Sequence, residues 1–84
     1  MIDSDERIGE RLAALRDMLG LKQAQIAEII GISQPQWNQY ERGKRKLTIE
    51  VAASIAKTYG VTLDWLYFGD AGGLPLRFTS IAAA

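Results

Sequence analysis

The chain has 84 residues, ten basic and ten acidic, so its formal net charge is zero, and 48% of its residues are hydrophobic. That length allows one small domain with a thin core, which a dimer would help to cover. Cysteine and histidine are both absent, which removes disulfides, thiolate metal sites and the commonest general acid/base, so no metal, no cofactor and no enzymatic activity are expected.

No apolar run approaches the ~18 residues of a membrane span. The start, MIDSDERIGE, is acidic and has no hydrophobic signal region, so a cytoplasmic protein that begins at Met1 is expected.

The elements follow in chain order. Ile8, Leu12, Leu15 and Leu19 recur at helical spacing and predict a helix over 5–19, closed by Gly20. Asp3 and Glu6 resemble a capping box before it. A second helix spans 23–30, with Ile26, Ala27 and Ile30 inward, Ile29 off the stripe and Gly31 as its stop. Lys22 stands where a cap belongs and is a poor capper. The third helix spans 34–41. Ser33 caps it, Gln36 completes a Ser-x-x-Gln box, Pro35 sits in the first turn and Gly43 ends it. Its wheel puts Trp37 and Tyr40 inside and leaves Gln34, Pro35, Asn38 and Gln39 outside. Thr48 caps a helix over 49–59 with Ile49, Ala52, Ile55, Ala56 and Tyr59 inward. Thr62 caps a short one over 63–68 with Leu63 and Leu66 inward. The expected fold is all-α, five helices in one domain over 1–69. Residues 70–84 change character. Gly72-Gly73 reads as a hinge, Leu74, Leu76 and Phe78 alternate like a strand, and Pro75 opposes a central one. A flexible tail or dimerisation arm is expected there.

Amide side chains on a short exposed helix suit base edges in a major groove, because Gln and Asn each form two hydrogen bonds to adenine. Gln23, at the start of the second helix, is placed for a phosphate. Arg42, Lys44, Arg45 and Lys46 hold four of the ten basic residues within five positions. They could flank the groove and set affinity without choosing sequence. A bland reading competes at each point: an ordinary polar helix face for Gln34, Asn38 and Gln39, and a solvated loop for the basic run. For Ile29, Leu47 and Leu74–Phe78 the alternatives are a subunit interface and plain exposure.

The order of residues resembles the Cro/repressor-type, or XRE, helix-turn-helix family. The match runs through Arg16, Gln23, Ile26-Ala27, Gly31-Ile32-Ser33, Trp37, Tyr40, Glu41-Arg42-Gly43-Lys44, Ile49, Ile55-Ala56, Tyr59-Gly60-Val61, Leu63-Asp64-Trp65-Leu66 and Gly69. The resemblance implies a small transcriptional regulator, of repressor type, that binds double-stranded DNA at a palindromic operator as a homodimer. It implies base reading by Gln34 and Gln39 with Ser33 and Asn38 beside them. It implies that Gln23 binds a phosphate and braces the first residue of the recognition helix, and that Lys22, Arg42 and Lys44 contact the backbone, with Arg45 and Lys46 adjoining. Arg16 and Glu41 fall on a structural salt bridge. Thr62 to Phe78 is the candidate dimer contact. An antitoxin-like module whose tail engages a protein partner is the alternative. Four positions depart from the family pattern: Pro35 offers only apolar contact, Trp37 replaces a smaller aliphatic residue, Lys22 replaces a polar cap, and Leu47 stands where proline is common.

Overall fold

The computed structural model describes residues 1–84 and contains helices and no strands. The helices are α1 (Asp5–Met18), α2 (Gln23–Ile30), α3 (Gln34–Glu41), α4 (Ile49–Tyr59) and α5 (Leu63–Phe68), followed by a 3-10 helix over Leu76–Ile81. Side-chain caps start four of them. Ser4, Ser33, Thr48 and Thr62 accept from the N–H groups of Arg7, Gln36, Val51 and Trp65, each cap stabilising its helix by about 1 kcal/mol. The α1 cap is thus Ser4, one residue beyond the expected Asp3. Asp3 is drawn away to pair with Arg11. Gly31 ends α2 at φ 88°. There the Ile32 N–H reaches back to the Ala27 carbonyl at 2.9 Å, a left-handed cap that turns the chain sharply into α3.

One core holds the helices together. Ile8, Leu12 and Leu15 of α1 meet Ile26, Trp37, Tyr40, Ile55, Trp65 and Leu66, all buried. Ile49 and Leu63, expected inside, are exposed. Each is the first residue after its cap, before the helix has entered the core. Leu47 runs the other way. It is buried within the core, and Tyr67 Oη donates to its carbonyl at 2.8 Å.

The tail over 70–84 is not a loose arm here. Phe78 and Ile81 insert into the core while Leu76 points out. A three-residue spacing matches a 3-10 turn and not the two-residue period of a strand. Trp65 Nε1 donates to the Ala82 carbonyl at 3.2 Å. Arg11, 2% exposed, is the one buried charged residue. Its guanidinium donates to the carbonyls of Ala84 (2.9 Å) and Leu66 (3.2 Å) and to Asp3. The charge is therefore paired and hydrogen-bonded, as a buried charge must be.

Gly9 sets the approach of α1 to α3. A Cβ there would stand 2.5 Å from the Glu41 carbonyl oxygen and 2.6 Å from that of Tyr40. Glycine inside a helix costs about 1 kcal/mol relative to alanine, and here it permits backbone contact. Gly9→Ala should therefore destabilise the protein by about 1–3 kcal/mol, the strain of overpacking, despite better helix propensity. Urea denaturation checks this, and a midpoint equal to or above that of the wild type would contradict it.

Candidate nucleic-acid interface

The amide-bearing face of α3 is tied to α1 and α2 by one continuous hydrogen-bond network. At its centre is the Glu41 carboxylate. Arg16 of α1 donates Nε to Glu41 Oε2 at 2.6 Å and Nη2 to Oε1 at 3.2 Å. Gln23 of α2 donates Nε2 to Oε1 at 3.2 Å. Trp37, one turn back on α3, donates its indole N–H to Oε2. Arg16 also donates Nη1 to the Leu21 carbonyl at 3.0 Å, which fixes the loop entering α2.

Gln23 carries the network outward. Its Oε1 accepts from Gln34 Nε2 at 2.8 Å and from Asn38 Nδ2 at 3.2 Å. Gln34 is exposed and Asn38 half-buried, and each keeps a carbonyl oxygen and one N–H unused. Gln23 itself has one N–H left. Gln39 is exposed and its side chain makes no protein hydrogen bond. Ser33 spends its oxygen on the Gln36 N–H at 3.2 Å and keeps its hydroxyl proton free to donate. Gln36 does not close the expected box. Its Nε2 turns to Tyr40 Oη at 3.1 Å.

The N-terminus of α2 has no side-chain cap from Lys22. Gln25 Oε1 instead accepts from the Lys22 N–H at 2.8 Å. The Gln25 N–H bonds the Lys22 carbonyl at 3.0 Å, which leaves the N–H groups of Gln23 and Ala24 without a protein acceptor, and free N–H groups at a helix start favour anions.

Charge divides unevenly over the neutral chain. Arg7, Arg11, Arg16 and Lys46 lie within 4 Å of a carboxylate oxygen. Lys22, Arg42, Lys44 and Arg45 have no such partner, are exposed, and adjoin the ends of α2 and α3. Lys46 differs from its neighbours in the basic run. It sits 3.7 Å from Asp5, although at 88% side-chain exposure that pairing contributes little.

Two parts of this site escape sequence reasoning. Trp37 reads from the helical wheel as core filler, and only the fold shows that its indole N–H meets a carboxylate. Gly9 gave a signal, a glycine inside a strongly periodic helix, that points to a close approach without naming the partner.

Burial alone would raise the Glu41 pKa. Hydrogen bonds from Arg16, Trp37 and Gln23, with the Arg16 charge, together outweigh burial and hold it below the ordinary value. The same hydrogen bond raises the Arg16 pKa, against the cost of burial. A carboxylate whose folded pKa is depressed contributes stability above its unfolded pKa, about 4.3, and loses it as pH falls through the folded value. A carbon-detected titration of Glu41 should therefore give a midpoint below about 4.3, with stability falling through the same acidic window. A midpoint at or above that value would contradict the assignment.

Residues 12–66 match the Helix-turn-helix family, a span that takes in the whole network. The HTH-type transcriptional regulator DdrOP3 of Deinococcus deserti is 36% identical over 84 residues, covering 92% of this chain and 65% of that protein. The cryptic phage CTXphi transcriptional repressor RstR of Vibrio cholerae is 38% identical over 60 residues, covering 71% of this chain and 54% of the repressor. The crystal structure of ComR from Streptococcus suis shares the fold with a TM-score of 0.68 at 26% identity, covering 95% of this chain and 26% of that one. The chain thus spans less than two thirds of the length of these relatives. With residues 12–66 matched and the α2–turn–α3 geometry in place, the chain belongs to the XRE-type helix-turn-helix family.

Proposed function

We propose that the protein binds double-stranded DNA sequence-specifically as a transcriptional regulator of repressor type, with α3 in the major groove. The observation that carries this reading is the outward amide row of Gln34, Asn38 and Gln39, two of whose members are held from behind by Gln23. A free carbonyl oxygen beside a free N–H is the pair that Gln or Asn offers to adenine. Ser33 adds a hydroxyl donor at the edge of the same face. Phosphates are met by the remaining N–H of Gln23, by the uncapped start of α2 and by Lys22, Arg42, Lys44 and Arg45, with Lys46 as a more distant contributor. Arg16 and Glu41 serve as scaffold.

The protein acts as a homodimer on a palindromic operator, its two α3 helices roughly 34 Å apart in successive major grooves. Leu63, Phe68 and Leu76 are exposed apolar side chains within Thr62–Phe78 and are the proposed contact. Ile29 lies exposed on α2, away from that segment in sequence. The antitoxin-like alternative gains nothing from the tail, since Phe78 and Ile81 already bury themselves in their own core.

Footprinting over the promoter region of its own gene tests the reading. A protected palindrome is expected, and its absence there and in selection from random DNA would sink the proposal. Two substitutions separate reading from attraction. Gln34→Ala should lose about 1–3 kcal/mol of discrimination at one base pair. Lys44→Ala should weaken all sequences alike and lower the salt slope by about one. Equal effects of both on specific and random DNA would refute these roles.

A further inference from the structure

The direction in which the Gln34 and Asn38 amides face follows from a charge two residues away in the network. An ionised carboxylate only accepts hydrogen bonds. Glu41 is held ionised by Arg16, so Gln23 must turn its Nε2 toward it. The oxygen of the same amide then faces α3. Gln34 and Asn38 can answer an oxygen only with N–H groups, and both do. Trp37 belongs to the same device. With the two Arg16 nitrogens and Gln23, its indole N–H brings four donors to the two oxygens of Glu41 and holds the carboxylate in one orientation.

We infer that Glu41 is a specificity-determining residue that touches no base and acts through Gln23, whose bracing of α3 is the role the family resemblance already implies. The Glu41 charge, relayed through Gln23, fixes which way the donor and the acceptor of Gln34 and Asn38 point into the groove. The inference rests on the DNA-reading function proposed above. Reversing the amides would exchange donor and acceptor along the groove and so change the base pair that fits. Trp37 is a positioning residue in this relay, acting through Glu41.

Gln23→Lys tests the polarity. Lysine donates and never accepts, and its ammonium meets Glu41, so an ion pair replaces the lost hydrogen bond and supports folding. In the free wild-type protein, the side-chain NH2 protons of Gln34 and Asn38 should exchange more slowly with water than those of an unbonded amide. In Gln23→Lys that protection should vanish. Selection from random DNA should then yield a changed preference at the base pair identified by Gln34→Ala, with the wild-type base disfavoured by about tenfold, within the range one bidentate contact supplies. Retention of the wild-type preference, or fast exchange in the wild type, would overturn the inference.

The double substitution Arg16→Met with Glu41→Gln tests the origin of the relay while leaving no guanidinium stranded. A neutral amide at position 41 can donate or accept, so preference at that base pair should flatten. An unaltered preference would overturn the role of Glu41. Should the double variant fail to fold, Trp37→Phe keeps the ring and the ion pair but removes one donor. Wild-type amide protection in that variant would exclude Trp37 from the relay, and reduced protection would support it. If the wild type itself selects no sequence, the DNA-reading function fails, while amide exchange in the free protein still decides the polarity of Gln23.

Discussion

The Glu41 carboxylate gathers donors from three helices: two nitrogens of Arg16 on α1, the amide of Gln23 on α2 and the indole of Trp37 on α3. A charged acceptor with its positions filled is expensive to move. Its bonds are charge-assisted, and removing any donor leaves part of a nearly buried charge uncompensated. This point ties α1 and α2 to α3 in addition to the apolar packing between them. Gly9 makes the arrangement reachable. It lies seven residues, about two turns, before Arg16 on the same face of α1. The backbone of Glu41 rests against Gly9 while its side chain meets Arg16.

Net charge is a poor guide to this molecule, and the reason is pairing. Zero net charge would argue against a polyanionic partner if the charges were evenly mixed. Here Arg7 and Arg11 of α1 are paired with Glu10 and Asp3, and Arg16 is spent on the scaffold. What remains free beside α2 and α3 is positive, although Glu28 on α2 is also unpaired. Local potential at a groove depends on such uncompensated charge within about one Debye length, about 8 Å at physiological salt, and not on the total.

All five α-helices were legible from apolar spacing, Ser/Thr caps and glycine stops, because those signals are local. The misplacements have physical causes. Ile49 and Leu63 fit the helical wheel, but a wheel carries no information about where along its axis a helix meets the core. Leu47 packs into the core, and Tyr67, twenty residues away, donates to its carbonyl, a long-range arrangement that no local pattern encodes. In the tail, Leu74, Leu76 and Phe78 suggested period two, while the pair that packs is Phe78 and Ile81, at period three. At the site, the outward amides were legible from the wheel. The link from Gln34 and Asn38 through Gln23 to Glu41 and Trp37 depends on how α2 crosses α3, which no single-helix pattern encodes.

Gln23 joins two tasks. Its oxygen is spent on Gln34 and Asn38, one N–H on Glu41, and one N–H remains at the edge of the uncapped α2 start. A phosphate taken by that last proton would be held by the same rigid amide plane that orients the α3 side chains. Register on the backbone and orientation toward the bases then cannot vary independently. A sideways slip of α2 along the phosphates would tilt the Gln23 plane and misalign Gln34 and Asn38 together. On the proposed function, a backbone contact, which carries no sequence information by itself, would become a condition for reading the sequence.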